Sequence, residues 1–388
     1  MKKNLKKVLA AFLALSAVIV TSGCNIVTDD ESDANVFVPP TNSEGNSSSS
    51  SSSESSSAAE SSSESTSSES SSSTQSSSDN EEQNPNGGEM SGSVLVLDNG
   101  RGIVCFGGGK SGGQDYAETI NKFKQQLPDV KFYSMVAPTA GSFYLSDKLK
   151  EKYMASEKDN IDHINQFLSG ITPVDAYTAL SKHTNEDIYF RTDHHWTQLG
   201  AYYAAEEFAK EAGVPFAPLS EYEVFEREGY IGSLYGYSNE NSKMRKNPDK
   251  FTFYKPKNNF TVSVYDPDYK YLYDMPLSFG DSTTYMLYGA DNQINHITTD
   301  CDNGRKLVII GDSYDNALFL NLTNSFSEIW VCDMRAVTSD YTYFNLNIID
   351  FIQKMGATDV LFNMDTFSAV GGNRHGLKTM LESANTLS

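Results

Sequence analysis

Short, nearly continuous apolar runs alternate with stretches whose apolar side chains recur every third or fourth position, from about Val94 to Met364. Runs of the first kind read as buried strands and stretches of the second as amphipathic helices. The pattern predicts strands over Lys131–Ala137, Ile171–Ala176, Leu307–Ile310, Ile329–Cys332 and Asp359–Asn363. It predicts helices near Gln114–Gln126, Lys158–Leu168 and Gln198–Ala212, one just after Ser313, and one over 346–355. Pro128 and Pro138 close the first helix and the first strand. Thr197 is placed to cap the helix that Gly213 ends. Val94–Leu97 and Ile103–Phe106 flank Asp98-Asn99-Gly100, which is a hairpin signal. Residues 220–300 break this rhythm: they are aromatic and polar, with Tyr235, Tyr237, Phe251 and Tyr254 among turn formers. They read as a β-rich insertion. The alternation on either side of it predicts an α/β fold with a largely parallel, helix-covered sheet.

The first 93 residues follow other rules. Lys2, Lys3, Lys6 and Lys7 precede an apolar stretch from Val8 to Val20 and then Thr21-Ser22-Gly23-Cys24. Residues 1–23 read as a secretion signal, too short and wrongly flanked for a permanent span. Small residues before a cysteine resemble the lipobox of bacterial lipoproteins, which implies acylation of Cys24 and an anchor on the outer face of the bacterial cytoplasmic membrane. Residues 24–93 are serine and glutamate with few apolar side chains and no Lys or Arg. Such a segment cannot bury enough surface to offset its ordering entropy. It reads as a disordered tether, with an end-to-end distance of roughly 45 Å for a flexible coil. One folded unit is expected over 94–370, with a tail at 371–388.

Charge narrows the partners. Beyond residue 93 the chain holds 26 basic against 38 acidic groups, about −12, and a surface of that sign repels nucleic-acid phosphates. Cys105, Cys301 and Cys332 have no metal-ligand spacing. They leave one disulfide open, and Cys332 in its apolar run reads as a buried small hydrophobe. Gly107-Gly108-Gly109-Lys110-Ser111 lacks the earlier glycine that a phosphate loop needs and reads as a turn.

The chemistry lies in two short segments. In Thr192-Asp193-His194-His195-Trp196-Thr197, Asp193 and His195 are two residues apart, so in extended backbone they leave on one face. In Gly311-Asp312-Ser313-Tyr314, Ser313 follows an apolar strand, at the carboxyl end where open α/β sheets place their sites. Together they offer the carboxylate, imidazole and hydroxyl of a serine-nucleophile machine. The bland readings are a helix-capping turn at Ser313 and a hydrogen-bonded loop with Trp196 in the core. A metal-hydrolase reading of Asp193, His194 and His195 is weaker, because adjacent histidines point apart in extended chain and no third histidine is evident. No metal or other cofactor is expected.

These segments resemble the DHHW family of bacterial surface proteins. The motif at 192–197 is followed by Gly200-Ala201-Tyr202-Tyr203. Further segments fit in order: Tyr230-Ile231-Gly232-Ser233-Leu234, Tyr285 to Asn292 with Gly289, Gly311-Asp312-Ser313-Tyr314 with Asn316-Ala317, and Asp333-Met334-Arg335. The family is similar to the SGNH-hydrolase-like domains of alginate O-acetyltransferases, which implies a three-layer α/β sandwich. It also implies that Asp193 orients His195, that His195 is the general base and that Ser313 is acylated. His194 falls at the variable position of the motif. The backbone N–H of Ser313 is the natural first oxyanion donor, with Asn316 and Asn363 as candidates for a second. Tyr314 is expected at the rim of the site, and His194 and Trp196 beside substrate.

The leading expectation is a surface-anchored O-acetyltransferase acting on a polysaccharide, its acyl donor supplied by a membrane-bound O-acyltransferase. A carbohydrate esterase using the same triad is the alternative, since only the competition between water and sugar differs. A noncatalytic glycan-binding or scaffold lipoprotein is the second, though such a module has no need of an intact triad.

Overall fold

Successive side chains of a strand leave on opposite faces, which sends Leu307 and Ile309 into one hydrophobic core and Val308 and Ile310 into a second. All four are fully buried. The strand that carries them therefore has packed layers on both sides, the arrangement of a three-layer α/β sandwich. The computed structural model describes residues 87–275, 291, 293–337, 346–383 and 386–387. The signal at 1–23, Cys24, nearly all of the tether and the family segment from Tyr285 to Gly289 lie outside the described residues.

In chain order, β1 (Gly88–Ser91), β2 (Val94–Leu97) and β3 (Gly102–Ile103) form a small antiparallel sheet. Next come α1 (Lys110–Gln126), β4 (Lys131–Ala137), α2 (Glu157–Gln166), β5 (Thr172–Pro173) and α3 (Gln198–Ala212). Then follow β6 (Tyr222–Tyr230), β7 (Asp249–Pro256), β8 (Phe260–Tyr265), β9 (Tyr271–Asp274) and β10 (Ile294–Thr299). The chain closes with β11 (Lys306–Gly311), β12 (Glu328–Asp333), α4 (Ile348–Lys354), β13 (Asp359–Asp365) and α5 (His375–Glu382).

The main sheet runs β5-β4-β13-β11-β12-β10-β8-β9. From β5 to β12 every pairing is parallel, and β10, β8 and β9 continue it antiparallel. Phe123 of α1, Ile164 of α2, Phe351 of α4 and Leu377 of α5 share the core with Val308. Ala204, Ala205 and Phe208 of α3 share the other with Leu307. The three-layer, largely parallel architecture is the one expected.

Three expectations are corrected. Residues 220–300 are β-rich as expected, though not all of them stand outside the main sheet. Only β6 and β7 stand apart as a ribbon, whereas β8, β9 and β10 extend the main sheet. Their apolar positions are sparse because they lie toward a half-exposed edge, with Val262, Val264, Ile294 and Ile297 as the buried ones. The strand predicted over 171–176 shrinks to Thr172–Pro173. Pro173 has no N–H to give a ladder, and Asp175 accepts from Thr178 N–H (2.9 Å) to start a short helix at Ala176. Finally, the folded unit exceeds 94–370 at both ends. Gly88–Ser91 pairs with β2, and the expected tail contains α5, whose Leu377 and Met380 are fully buried.

Parallel pairing brings the carboxyl ends of β4, β13, β11 and β12 to one edge. Both neighbours of β11 follow it in sequence, so strand order changes direction there, which is where open α/β sheets form a ligand crevice.

Candidate active site

The segment from Ile188 to Thr197 contains neither helix nor strand, so side chains must fix it. Asp249, at the start of β7, accepts from the backbone N–H groups of Arg191 (2.6 Å) and Thr192 (2.8 Å) and from the Thr192 hydroxyl. Arg101 donates to the carbonyls of Phe190 (2.9 Å) and Tyr189 (3.3 Å). Backbone bonds from Thr197 N–H to Ile188 O and from Phe190 N–H to His195 O close the loop on itself. The Thr197 hydroxyl then caps α3, accepting from Gly200 N–H as expected.

Within that loop Asp193 is saturated with donors. Oδ1 accepts from His195 Nδ1 (2.6 Å) and His195 N–H (3.1 Å). Oδ2 accepts from Ser233 N–H (2.8 Å) and the Tyr230 hydroxyl (3.1 Å). Burial alone would push this carboxyl up. The imidazole beside it, its hydrogen bond, His194 and the Ser233 N–H outweigh burial and hold it well below the usual carboxylate range. Gly232 makes the fit possible, because a Cβ there would lie 2.3 Å from Asp193 Cβ.

Ser313 sits on the turn after β11. A Cβ at Gly311 would lie 1.7 Å from the carbonyl oxygen of Asn363, so β11 and β13 approach there as only glycine permits. Asp312 holds the turn, accepting from Tyr314 N–H (2.9 Å) and Asp365 N–H (3.2 Å). Ser313 Oγ lies 2.7 Å from His195 Nε2. Since the Asp193 carboxylate is an acceptor, His195 carries its proton on Nδ1 and receives the serine hydroxyl at Nε2. Ser313 keeps 7% of its surface exposed and His195 6%. The carboxylate, imidazole and hydroxyl singled out in the sequence thus form one continuous hydrogen-bonded chain.

The other residues singled out behave differently. Trp196 is fully buried and donates from Nε1 to Tyr314 O (3.1 Å). Tyr314, expected at the rim, is 1% exposed and donates its hydroxyl to His194 O (2.7 Å). These two aromatics clamp the loop to the turn and do not face substrate. Asn316 Nδ2 donates to Asp291 (2.8 Å) and Asn363 Nδ2 to Asp315 (2.6 Å), so neither amide is aimed at Ser313. His194 bonds Ser233 Oγ through Nδ1 (2.7 Å) and lies against His195, ring centroids 3.8 Å apart and planes tilted by 36°. Burial and the neighbouring imidazole push His194 down to about 3, so it is neutral. The helix after Ser313 spans only Asp315–Leu318, too short for a helix dipole to act at the serine.

One residue beside the nucleophile was missed. Arg335 is buried, and its Nη1 lies 3.5 Å from Ser313 Oγ. The sequence showed Asp333-Met334-Arg335 only as a family segment, and nothing in the pattern distinguished a buried arginine at a strand end from a surface one. Two buried acids nearby, Asp365 and Asp315, are kept neutral. Burial, then Asp312, raises Asp365 to about 8 and pushes Asp315 well above the carboxylate range.

The histidines do not point apart, because the loop is not extended. Ligand atoms of Asp193, His194 and His195 lie within 4.8 Å of one another, close enough to hold a metal ion. As folded, Asp193 and Ser313 hydrogen-bond both ring nitrogens of His195, and Ser233 bonds Nδ1 of His194. The three cysteines among the described residues are free thiols, and Cys332 is fully buried as expected. No helix among the described residues is long and apolar enough to cross a membrane.

Comparison with known proteins places this geometry. The family model described as DHHW protein matches residues 21–332. The crystal structure of a DHHW family protein from Eubacterium siraeum is 42% identical, with a TM-score of 0.70 over 78% of this chain and 98% of that one. Bacillus cereus PatB1, solved with a sulfonyl adduct, is 19% identical at a TM-score of 0.58, covering 72% of this chain and 96% of that one. A second PatB1 structure is 20% identical at 0.56, over 74% and 98%. The PatB1 likeness is one of fold. No curated protein matches the sequence.

Proposed function

The chain belongs to the DHHW family, and from that premise we propose that it transfers an acyl group through Ser313. The observation that carries the proposal is the hydrogen-bonded chain from Asp193 through both ring nitrogens of His195 to Ser313 Oγ, at 2.6 and 2.7 Å. Ser313 Oγ attacks the carbonyl carbon of an acyl donor while its proton passes to His195 Nε2. Asp193, ionised and held by four donors, keeps the ring oriented and stabilises the imidazolium. The tetrahedral intermediate collapses, and the leaving oxygen takes the proton from His195. An acceptor hydroxyl then gives its proton to His195 and attacks the acyl-serine, and Ser313 recovers its proton as the new ester departs.

In this proposal the acceptor is a sugar hydroxyl of a surface polysaccharide, the acyl group is acetyl, and a membrane-bound O-acyltransferase supplies the donor. The signal-like Met1–Gly23, the small residues before Cys24 and the serine-rich tether support a lipid-anchored enzyme outside the cytoplasmic membrane. Mass spectrometry after exposure to an activated acetyl ester tests the chemistry. An acetyl group is expected on Ser313 of the native protein and on no residue of Ser313→Ala at comparable rate. Equal labelling of both proteins would overturn the proposal. Adding an oligosaccharide acceptor should move the acyl group to sugar faster than water removes it.

A further inference from the structure

We propose that Arg335 is a catalytic residue whose Nη1 serves, together with the backbone N–H of Ser313, as the second donor of the oxyanion hole. This rests on the reading of Ser313 as nucleophile. Among the described residues, only His195 Nε2 and Arg335 Nη1 reach hydrogen-bond distance of Ser313 Oγ. His195 is committed to the proton. The two asparagines that could fill the role have their amide donors on Asp291 and Asp315.

The guanidinium is pinned along one edge. Nε bonds Asp333 Oδ1 (2.9 Å), Nη2 bonds Asp333 Oδ2 (2.7 Å), and the backbone N–H of Arg335 bonds Asp333 Oδ1 as well (2.9 Å). Asp291 lies 3.3 Å from Nη2 on the outer side. A planar fork held at Nε and Nη2 has its Nη1 direction fixed, here toward the serine oxygen. At 3.5 Å Nη1 is a weak partner for the resting hydroxyl. That suits an oxyanion donor, which is aimed at the oxygen that becomes charged during attack, one bond beyond Oγ, and not at Oγ itself. The backbone N–H of Ser313 has no acceptor among the described residues, which leaves it available as the first donor. Asp333 also balances the arginine's charge, so the guanidinium acts by a directed hydrogen bond and does not recruit anions. A lysine cannot be held at two points in this way.

Two measurements decide it. Acylation of Ser313 by an activated acetyl ester is timed in the native protein, Arg335→Gln and Arg335→Lys, with thermal unfolding recorded for each. Affinity for phenylboronic acid, which forms a tetrahedral oxyanion adduct on a serine, is measured alongside. Both variants should acylate about 10²–10³-fold more slowly and lose boronate affinity in proportion, a correlation that loosened packing alone would not give. Folded variants with native acylation rates overturn the assignment. Should either variant unfold, a structure of the native protein carrying a boronate or sulfonyl adduct decides. An adduct oxygen about 3 Å from Nη1 supports the assignment, and adduct oxygens turned away from Arg335 overturn it. A native protein that never acylates at Ser313 sinks the nucleophile reading first, a result visible before any variant is made, and the assignment falls with it.

Discussion

The loop around Asp193 and the turn around Ser313 are joined by three hydrogen bonds, yet different forces hold them. The loop has no regular structure; its backbone hangs on the side chains of Asp249 and Arg101, and its Asp193 carboxylate on the Tyr230 hydroxyl and the Ser233 N–H. The turn is the end of a fully buried parallel strand, set by its neighbours' ladders and surrounded by acids that burial keeps protonated. A carboxylate in the loop is ionised because donors surround it. A carboxyl beside the turn is neutral because few do. Damage to the loop should therefore appear as lost activity and lost polar order, and damage near the turn as altered dependence on pH.

Asp193→Asn should give the largest effect, because an amide can donate where the carboxylate only accepts, which turns the imidazole to the wrong tautomer. Acylation of Ser313 should fall about 10⁴-fold by analogy with the same change in serine proteases, with the protein still folded. A loss smaller than tenfold in the rate of fluorophosphonate labelling would mean that His195 needs no help from Asp193. Next comes Asp249→Ala, which leaves the buried N–H of Thr192 and the partly buried N–H of Arg191 without their acceptor. At about 1–3 kcal/mol for each unsatisfied donor, chemical denaturation should show a loss of about 2–6 kcal/mol. The same experiment on Asp365→Asn, which keeps an acceptor for Ser368 N–H, should show less than half of that. Equal losses would erase the distinction between loop and turn.

The turn's acids predict a pH effect with a definite sign. Asp365 is raised to about 8 by burial and by Asp312, with Glu157 adding to it. The folded protein therefore keeps a proton that the unfolded chain releases near the ordinary aspartate value of about 3.9. Stability from this group is complete below about pH 4 and is lost as pH rises toward 8, with a slope of at most about 1.4 kcal/mol per pH unit. His194, pushed down to about 3, works the other way between 3 and its ordinary value of about 6.5, where the unfolded chain binds the extra proton. Above about pH 6.5 only the first slope remains of these two. Denaturation midpoints should decline from pH 6.5 to 8, and Asp365→Asn should flatten that decline. An unchanged slope in the variant would show that Asp365 is already ionised in the fold.

The same contrast explains what the sequence could show. β4 and α3 were predicted to the residue because an unbroken apolar run and a capped amphipathic stretch are local signals. Asp193, His195 and Ser313 were legible because their chemistry is rare and their spacing tight. What holds them was not. Asp249 lies 57 residues from Thr192, and Arg335 reads like any arginine until β12 is placed beside β11. Trp196 and Tyr314 were read as facing substrate because aromatics beside a motif look functional. Only the approach of loop and turn shows that each aromatic binds the other's segment. Strands β8 and β10 were misplaced for a related reason: a half-exposed strand near a sheet edge has the same composition as a free ribbon.

The smallest test lies where the loop enters α3. The Thr197 hydroxyl accepts from Gly200 N–H (3.2 Å) and donates to Asp187 O (2.6 Å), joining the helix start to the chain before the loop. Thr197→Ala removes both bonds, and lost caps of this kind cost about 1 kcal/mol. If Asp249 and the donors to Asp193 fix the imidazole, as the geometry indicates, the loss stays thermodynamic. Stability should then drop by about 1 kcal/mol while the rate of Ser313 acylation stays within about twofold, under 0.5 kcal/mol of barrier. A tenfold slower acylation in a variant that melts close to the native temperature would shift the weight of the argument from Asp249 to the helix cap. It would mean that His195 is positioned by the helix it precedes, and that the loop is less self-contained than its hydrogen bonds imply.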